Sequence, residues 1–141
     1  NLMLFYTKLK RDASEVLKTQ NRAISKKRKV LQKMRDLVHP LKDVLSGKNN
    51  VNVFGEILHK NWMLKKSITD QVSSAKIDVY YDKAIAAGAI GGKLLGAGGG
   101  GFLLFYVEKK NQNSVREVLS ELYELKVELD TDGTRITYYD Q

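Results

Sequence analysis

The sequence has no cysteine, one proline, two histidines and one tryptophan in 141 residues. Without thiols there is no disulfide framework, no thiolate zinc site and no cysteine nucleophile. Such a chain suits a reducing compartment, and a cytoplasmic location is expected. The two histidines, His39 and His59, form no Ser-His-Asp grouping and no metal-ligand spacing with their neighbours, so no metal site is expected. Long apolar runs are also missing. The longest uncharged stretch, Leu94 to Val107, has 14 residues, five of them glycine, against about 20 apolar residues for a membrane-spanning helix. No membrane partner is expected. Asn1 leads straight into Leu2, Met3, Leu4, Phe5 and Tyr6 without the basic leader of a signal peptide. A core strand this close to the first residue reads as the continuation of a longer chain.

What remains is 43% hydrophobic and 28% charged. That composition fits one globular domain, which at this size buries roughly 68% of its unfolded surface. The net charge of +8 points toward nucleic acid, but the excess is local. Residues 8–48 carry 13 Lys/Arg and 4 Asp/Glu, a net of +9, and residues 49–141 carry a net of −1. One reading is therefore a stand-alone basic module that binds nucleic acid or another polyanion through residues 8–48. Against nucleic acid, no Phe, Tyr or Trp lies between Thr7 and Phe54 to stack on bases.

Periodicity predicts the order strand, helices, strand, helix, strand, strand. Residues 2–7, LMLFYT, read as a buried strand. Asp12 and Glu15 have capping-box spacing, which starts a helix near Ala13. Leu17, Ile24, Leu31, Met34, Val38, Leu41 and Leu45 form its apolar stripe. Pro40 kinks or restarts this helix. Further helices are predicted over about 52–72, with Trp62 at the centre of the buried face, and over 76–87, closing at Gly88. Phe102 to Val107 is a strand, 115–125 an amphipathic helix, and Val127–Tyr138 a hairpin turning at Asp132-Gly133. The class is α+β, a mainly antiparallel sheet of about four strands with helices packed on one face.

Residues 88–101 hold 8 of the 11 glycines. Successive glycines let a backbone take positive φ, approach a ligand closely and form an anion-binding nest. No Gly-Lys-Ser/Thr completes a Walker loop. Gly96, Gly98 and Gly101 match G-x-G-x-x-G, but a strand rather than a helix follows, so a dinucleotide fold is excluded. The bland alternative is a tight connection that packs strand 102–107 against a neighbour.

The segment Lys93 to Phe102, KLLGAGGGGF, resembles the C-terminal glycine motif of the GHMP small-molecule kinases, which include galactokinases, homoserine kinases and mevalonate kinases. Leu4-Phe5-Tyr6-Thr7, Arg11-Asp12-Ala13-Ser14, Phe54 to Lys66 and Gly91 to Val107 are similar to the family's heptose-phosphate kinase branch. The likeness covers nearly the whole chain. Lys8 stands where that pattern has glycine, and Leu95 and Phe102 replace the Thr/Ser and Cys of other branches. The resemblance implies a ferredoxin-like C-terminal domain, residues 1–141, of an ATP-dependent sugar kinase that phosphorylates a heptose phosphate for surface-glycan synthesis. It implies ATP and Mg2+ as cofactors of the whole enzyme. The partner is an N-terminal domain carrying the ATP phosphate loop and the catalytic acid. No P-x-x-x-G-L-G-S-S pattern occurs here, so this chain alone is expected to hold no catalytic residue and to be inactive.

On that resemblance the cleft residues are Lys93, Gly96, Ala97, Gly98, Gly99, Gly100 and Gly101, with the four consecutive glycines offering main-chain N–H groups to phosphate. Arg11, Trp62, Lys65 and Lys66 are candidates for sugar-phosphate contacts. Each has a plainer reading: Arg11, Lys65 and Lys66 as solvated helix residues and Trp62 as core. His59 reads as a partly buried polar residue, and Asp78 with Asp82 as a solvated acidic edge.

Overall fold

The computed structural model describes residues 1–10 and 13–128 together with Gly133, Thr134, Ile136 and Tyr138. Strand β1 (Leu2–Tyr6) is followed by helices α1 (Ala13–Asp36), α2 (Val38–Leu45), α3 (Val53–Lys66) and α4 (Ala75–Ala86). Then come β2 (Ala89–Leu94), β3 (Phe102–Val107), α5 (Gln112–Val118) and β4 (Tyr123–Leu125). The four strands form one antiparallel sheet in the order β2-β3-β1-β4. This is the ferredoxin-like split β-α-β arrangement.

Alternation along β1 decides which face is covered. Met3 and Phe5 are buried, while Leu2, Leu4 and Tyr6 point to the other face and are half-buried. Against the first face pack Leu94, Leu103 and Phe105 from the sheet, Ile77, Tyr80, Tyr81 and Ala84 from α4, and Val115 and Leu119 from the α5 segment. Helix α4 starts where it does because the Ser74 hydroxyl accepts a hydrogen bond from the Ile77 N–H, satisfying an orphan first-turn donor. Helix α3 lies along the β2 edge. A Cβ on Gly91 would sit 1.9 Å from the Gly55 carbonyl oxygen, so backbone meets backbone there and no side chain fits between. A smaller cluster of Leu37, Val44 and Ile57 ties α1 and α2 to α3.

The glycine-rich stretch 88–101 is not all loop: its first part is β2, the sheet's edge strand, which the glycines concealed from a propensity reading. The helix expected over 115–125 stops at Val118, and Tyr123–Leu125 pairs with β1. The hairpin expected over 127–138 supplies no strand among the described residues, and its Leu129 and Asp132 lie outside them. The helix expected over 52–72 ends at Lys66, and a separate 3-10 turn covers Asp70–Val72. Asp12 of the capping box lies outside the described residues. The break between α1 and α2 falls at Leu37. Pro40 sits in the first turn of α2, where a missing N–H forfeits no intrahelical bond.

The apolar stripe of α1 and α2 is largely outward. Leu17 and Ile24 are each 47% exposed, Val38 59% and Leu45 69%. The inward side of α1 is Val16, fully buried, with Ala23, Val30 and Met34 half-buried.

Candidate functional site

The loop joining β2 to β3 begins once the Leu95 N–H has donated to the Phe102 carbonyl at 2.8 Å. Residues 96–101 are then held from every side. The Gly99 N–H donates to Val72 O at 2.9 Å, and the Gly101 N–H to Leu9 O at 3.0 Å. Thr7, 1% exposed, donates to Gly101 O from both its N–H, at 2.9 Å, and its hydroxyl, at 2.8 Å. The Gln20 side-chain amide donates to Ala97 O at 2.8 Å, and the Lys65 ammonium to Gly96 O. Thus β1, α1, α3 and the 3-10 turn before α4 all fix one hairpin.

Glycine is required here for two reasons. Gly98 has φ +122°, and a Cβ there would lie 2.7 Å from Val72 O. Gly100 packs so tightly that its Cβ would lie 2.4 Å from Leu9 O. Of the four consecutive glycines expected to present amides, Gly99 and Gly101 spend theirs on Val72 O and Leu9 O. The Gly98 and Gly100 amides have no main-chain acceptor among the described residues.

A cavity of about 420 Å³ opens beside the loop, lined by Tyr6, Leu9, Lys10, Ala13, Leu95, Gly96, Ala97, Gly98, Gly100 and Gly101. Leu9 and Lys10 of the turn after β1 form part of its wall. In that turn Lys8 has φ +60°, the left-handed region that non-glycine residues avoid. Its ammonium donates to the Glu121 carbonyl at 2.8 Å, anchoring the turn to the segment before β4. The family pattern's glycine at this position is thereby explained by backbone conformation.

The other candidates divide. Lys93 lies on β2 opposite Leu104, and its side chain makes no hydrogen bond or ion pair among the described residues. Its charge, added to burial, holds Lys65 below the ordinary lysine value, burial being the larger cause. Lys65 and Lys93 are thus brought together at the loop's α3 side. Lys66 turns away: it pairs with Asp78 at 3.0 Å and lies over the rings of Trp62 and Tyr81, 5.9 Å from each centroid. Asp78 also accepts from the Ser73 hydroxyl at 3.0 Å, so it is no free acidic edge. Lys66, Asp78, Thr69, Asp70, Ser73 and Ser74 line a separate polar cavity of about 370 Å³ at the start of α4. Trp62 is fully buried in the core and reaches no cavity. His59 Nδ1 lies 2.8 Å from the Tyr81 hydroxyl, whose proton burial holds well above the ordinary tyrosine range. Arg11 lies outside the described residues.

Sequence reasoning missed Tyr6, Leu9 and Lys10 as neighbours of the loop. A signal existed for Tyr6: strand alternation places it with Leu2 and Leu4 on the face opposite Met3 and Phe5.

A ferredoxin-like sheet whose glycine hairpin is clamped from four elements is the architecture of one class of small-molecule kinase domains. The family described as GHMP kinases C terminal matches residues 41–125, and the chain belongs to that family. It is 29% identical over 126 residues to the D-glycero-alpha-D-manno-heptose 7-phosphate kinase of Campylobacter jejuni subsp. jejuni serotype O:2, covering 84% of this chain and 36% of that protein. Among solved structures, the Methanococcus jannaschii mevalonate kinase superposes with TM-score 0.74 at 23% identity, over 88% of this chain and 38% of that one. Streptococcus pneumoniae phosphomevalonate kinase, in complex with phosphomevalonate and AMPPNP, superposes with TM-score 0.71 at 13% identity, over 89% and 39%. The chain spans little more than a third of these relatives' length. None of the helices among the described residues is long and apolar enough to cross a membrane.

Proposed function

We propose that this chain is the C-terminal, phosphate-cleft part of a cytoplasmic ATP-dependent sugar kinase whose acceptor is a heptose phosphate. The observation that carries the reading is the clamped hairpin with the Gly98 and Gly100 amides turned to no main-chain acceptor, beside a cavity that also holds Lys10. The 29% identity to a heptose 7-phosphate kinase supports the choice of acceptor.

Phosphoryl transfer needs little covalent chemistry from protein and much positioning and charge stabilisation. When bound, ATP supplies the phosphoryl group and Mg2+ neutralises its charge. The Gly98 and Gly100 amides are the groups to face phosphoryl oxygens, in a backbone too constrained to reorganise during transfer. Lys65 fixes the loop through Gly96 O, and Lys93 adds positive potential beside it. The reading assigns Mg2+ no ligand in this chain. The ATP phosphate loop, the catalytic acid and the metal ligands belong to a preceding domain, and the chain alone is inactive.

The test is ADP release by the longer protein with D-glycero-D-manno-heptose 7-phosphate, the unphosphorylated heptose and mevalonate as acceptors. Turnover with the heptose phosphate alone is expected, with none from the 141-residue chain. Turnover with mevalonate but not the heptose phosphate overturns the acceptor assignment.

One observation favours the polyanion reading of residues 8–48. Lys18, Arg22, Lys26, Lys29 and Lys33 follow one another at i+3 and i+4 along α1, and none is in a salt bridge among the described residues. DNA titration at two salt concentrations tests it, and absence of binding at low salt removes it.

A further inference from the structure

The sheet face opposite the core carries an aromatic row at its glycine-loop end. Tyr6 of β1 stands directly opposite Phe102 of β3 on one side and Tyr123 of β4 on the other. Directly paired residues share a face, so the three rings lie side by side across three strands. The Tyr6 and Phe102 centroids are 5.1 Å apart, and Phe102 and Tyr123 remain 36% and 65% exposed. Strand spacing makes the row about 10 Å wide. It is continuous with the loop cavity, because Phe102 directly follows Gly101 and Tyr6 itself lines the cavity.

We propose that Tyr6, Phe102 and Tyr123 form the platform on which the acceptor sugar lies, the C–H face of its ring against the aromatic rings. This rests on the sugar-kinase reading given above. Large rings left open to water beside a mostly apolar cavity with one charged group, Lys10, on its wall are the usual lining of a site for a partly apolar small molecule. The position selects which one. The transferred phosphoryl group belongs at the loop, and the acceptor hydroxyl must approach it to about 3–3.5 Å. A nucleotide's base is separated from that phosphoryl group by two phosphates and a ribose, whereas the row begins one residue from the loop. A ring resting on the row is therefore the acceptor's. Lys10, on the cavity wall, is placed to meet a phosphate that the acceptor already carries. Trp62, the aromatic residue that the sequence pattern marked for sugar, cannot serve, being fully buried.

The experiment is steady-state kinetics of the longer kinase with D-glycero-D-manno-heptose 7-phosphate and ATP, comparing wild type with Tyr123→Ala, Tyr6→Leu and Tyr6→Phe. Tyr123→Ala alters a largely exposed side chain, so it reports binding even where Tyr6→Leu fails to fold. Loss of one stacked ring is expected to raise KM for the sugar phosphate about tenfold, leaving KM for ATP within about twofold. Tyr6→Phe keeps the ring and is expected to keep the wild-type KM. If the wild type turns over the sugar phosphate and Tyr123→Ala leaves its KM unchanged, the platform is wrong while the kinase reading stands. A rise in KM for ATP instead makes the row a nucleotide contact and overturns the proposal. A wild type inert toward every sugar phosphate overturns the kinase reading and the platform with it.

Discussion

Two regions of this molecule, the glycine hairpin and the outer face of α1, are built on opposite terms. At the glycine hairpin, four elements converge on six residues; Thr7, Gln20 and Lys65 send side-chain donors, and the closest packing is main chain to main chain, where Val72 O, Leu9 O and Gly101 O each accept a backbone N–H. Helix α1, by contrast, is 24 residues long with only Val16 fully buried, and it turns Leu17 and Ile24 outward. A backbone-to-backbone contact has no rotamer with which to absorb an extra atom, whereas an exposed helix face does. The hairpin is the place to hold reacting groups still, and α1 is the place where sequence can drift.

The sharpest way to break this contrast is to add one carbon. At Gly91 an added Cβ falls 1.9 Å from Gly55 O, so β2 and α3 must part. Gly91→Ala is expected to lose about 3 kcal/mol or more of stability, as overpacking against immovable backbone does. Gly98→Ala meets Val72 O at 2.7 Å and adds a disfavoured φ of +122°. It should lose about 2 kcal/mol and displace the loop. Urea unfolding measures both. If either variant matches wild type, the hairpin is not rigid and the comparison fails.

Lys8 tests the strain at the hairpin's wall. Its φ of +60° costs roughly 1–2 kcal/mol for a residue with a Cβ, and its bond to Glu121 O returns part of that. Lys8→Ala keeps the strain and loses the bond, while Lys8→Gly loses both. The glycine variant should therefore be more stable than the alanine variant by about 1 kcal/mol by thermal or urea unfolding. The reverse order would mean that the turn holds no strain.

A substitution at Lys65 reads the same region through pH. Burial and Lys93 hold Lys65 below the ordinary 10.5, so folding disfavours its protonated form. Its charge opposes folding at neutral pH, and that opposition fades as pH rises from the lowered value to 10.5. Lys65→Met removes the opposition and also the bond to Gly96 O. The stability of wild type relative to Lys65→Met should climb with pH across that window, read from paired urea titrations. A pH-independent difference would show that Lys65 titrates like an exposed lysine.

Much of the fold was legible because period and residue type agreed. LMLFYT and FLLFYV are runs of apolar and aromatic residues that became β1 and β3, and the helices at 13–36 and 75–86 began within a residue of their expected starts. β2 was not legible, because AIGGKL owes its strand to pairing with β3 and to the Gly55–Gly91 contact, neither of which is local. β4 was hidden because Tyr123–Leu125 continues the helical apolar spacing of Val115, Val118 and Leu122 and is a strand only through β1. At the site, the glycine motif was visible but the use of its amides was not: Gly99 and Gly101 look identical to Gly98 and Gly100 until Val72 and Leu9 are brought to them. Trp62 is in the core, the plainer of its two readings, but a ring on an amphipathic helix reads the same in sequence whether its neighbours are a sugar or Tyr81.

The smallest effect belongs to the outer face of α1. The heptad run Leu17, Ile24, Leu31, Val38 and Leu45 reads as a buried seam, yet four of its five members are among the exposed large hydrophobics. Ile24→Gln replaces a side chain 47% exposed, and the stability change should stay within about 0.5 kcal/mol. Val16→Ala, two turns away in the same helix but fully buried, should lose several times as much. The pair of unfolding midpoints decides between an open outer face and a covered one. If Ile24→Gln is as damaging as Val16→Ala, the stripe is covered in solution and α1 is as constrained as the hairpin.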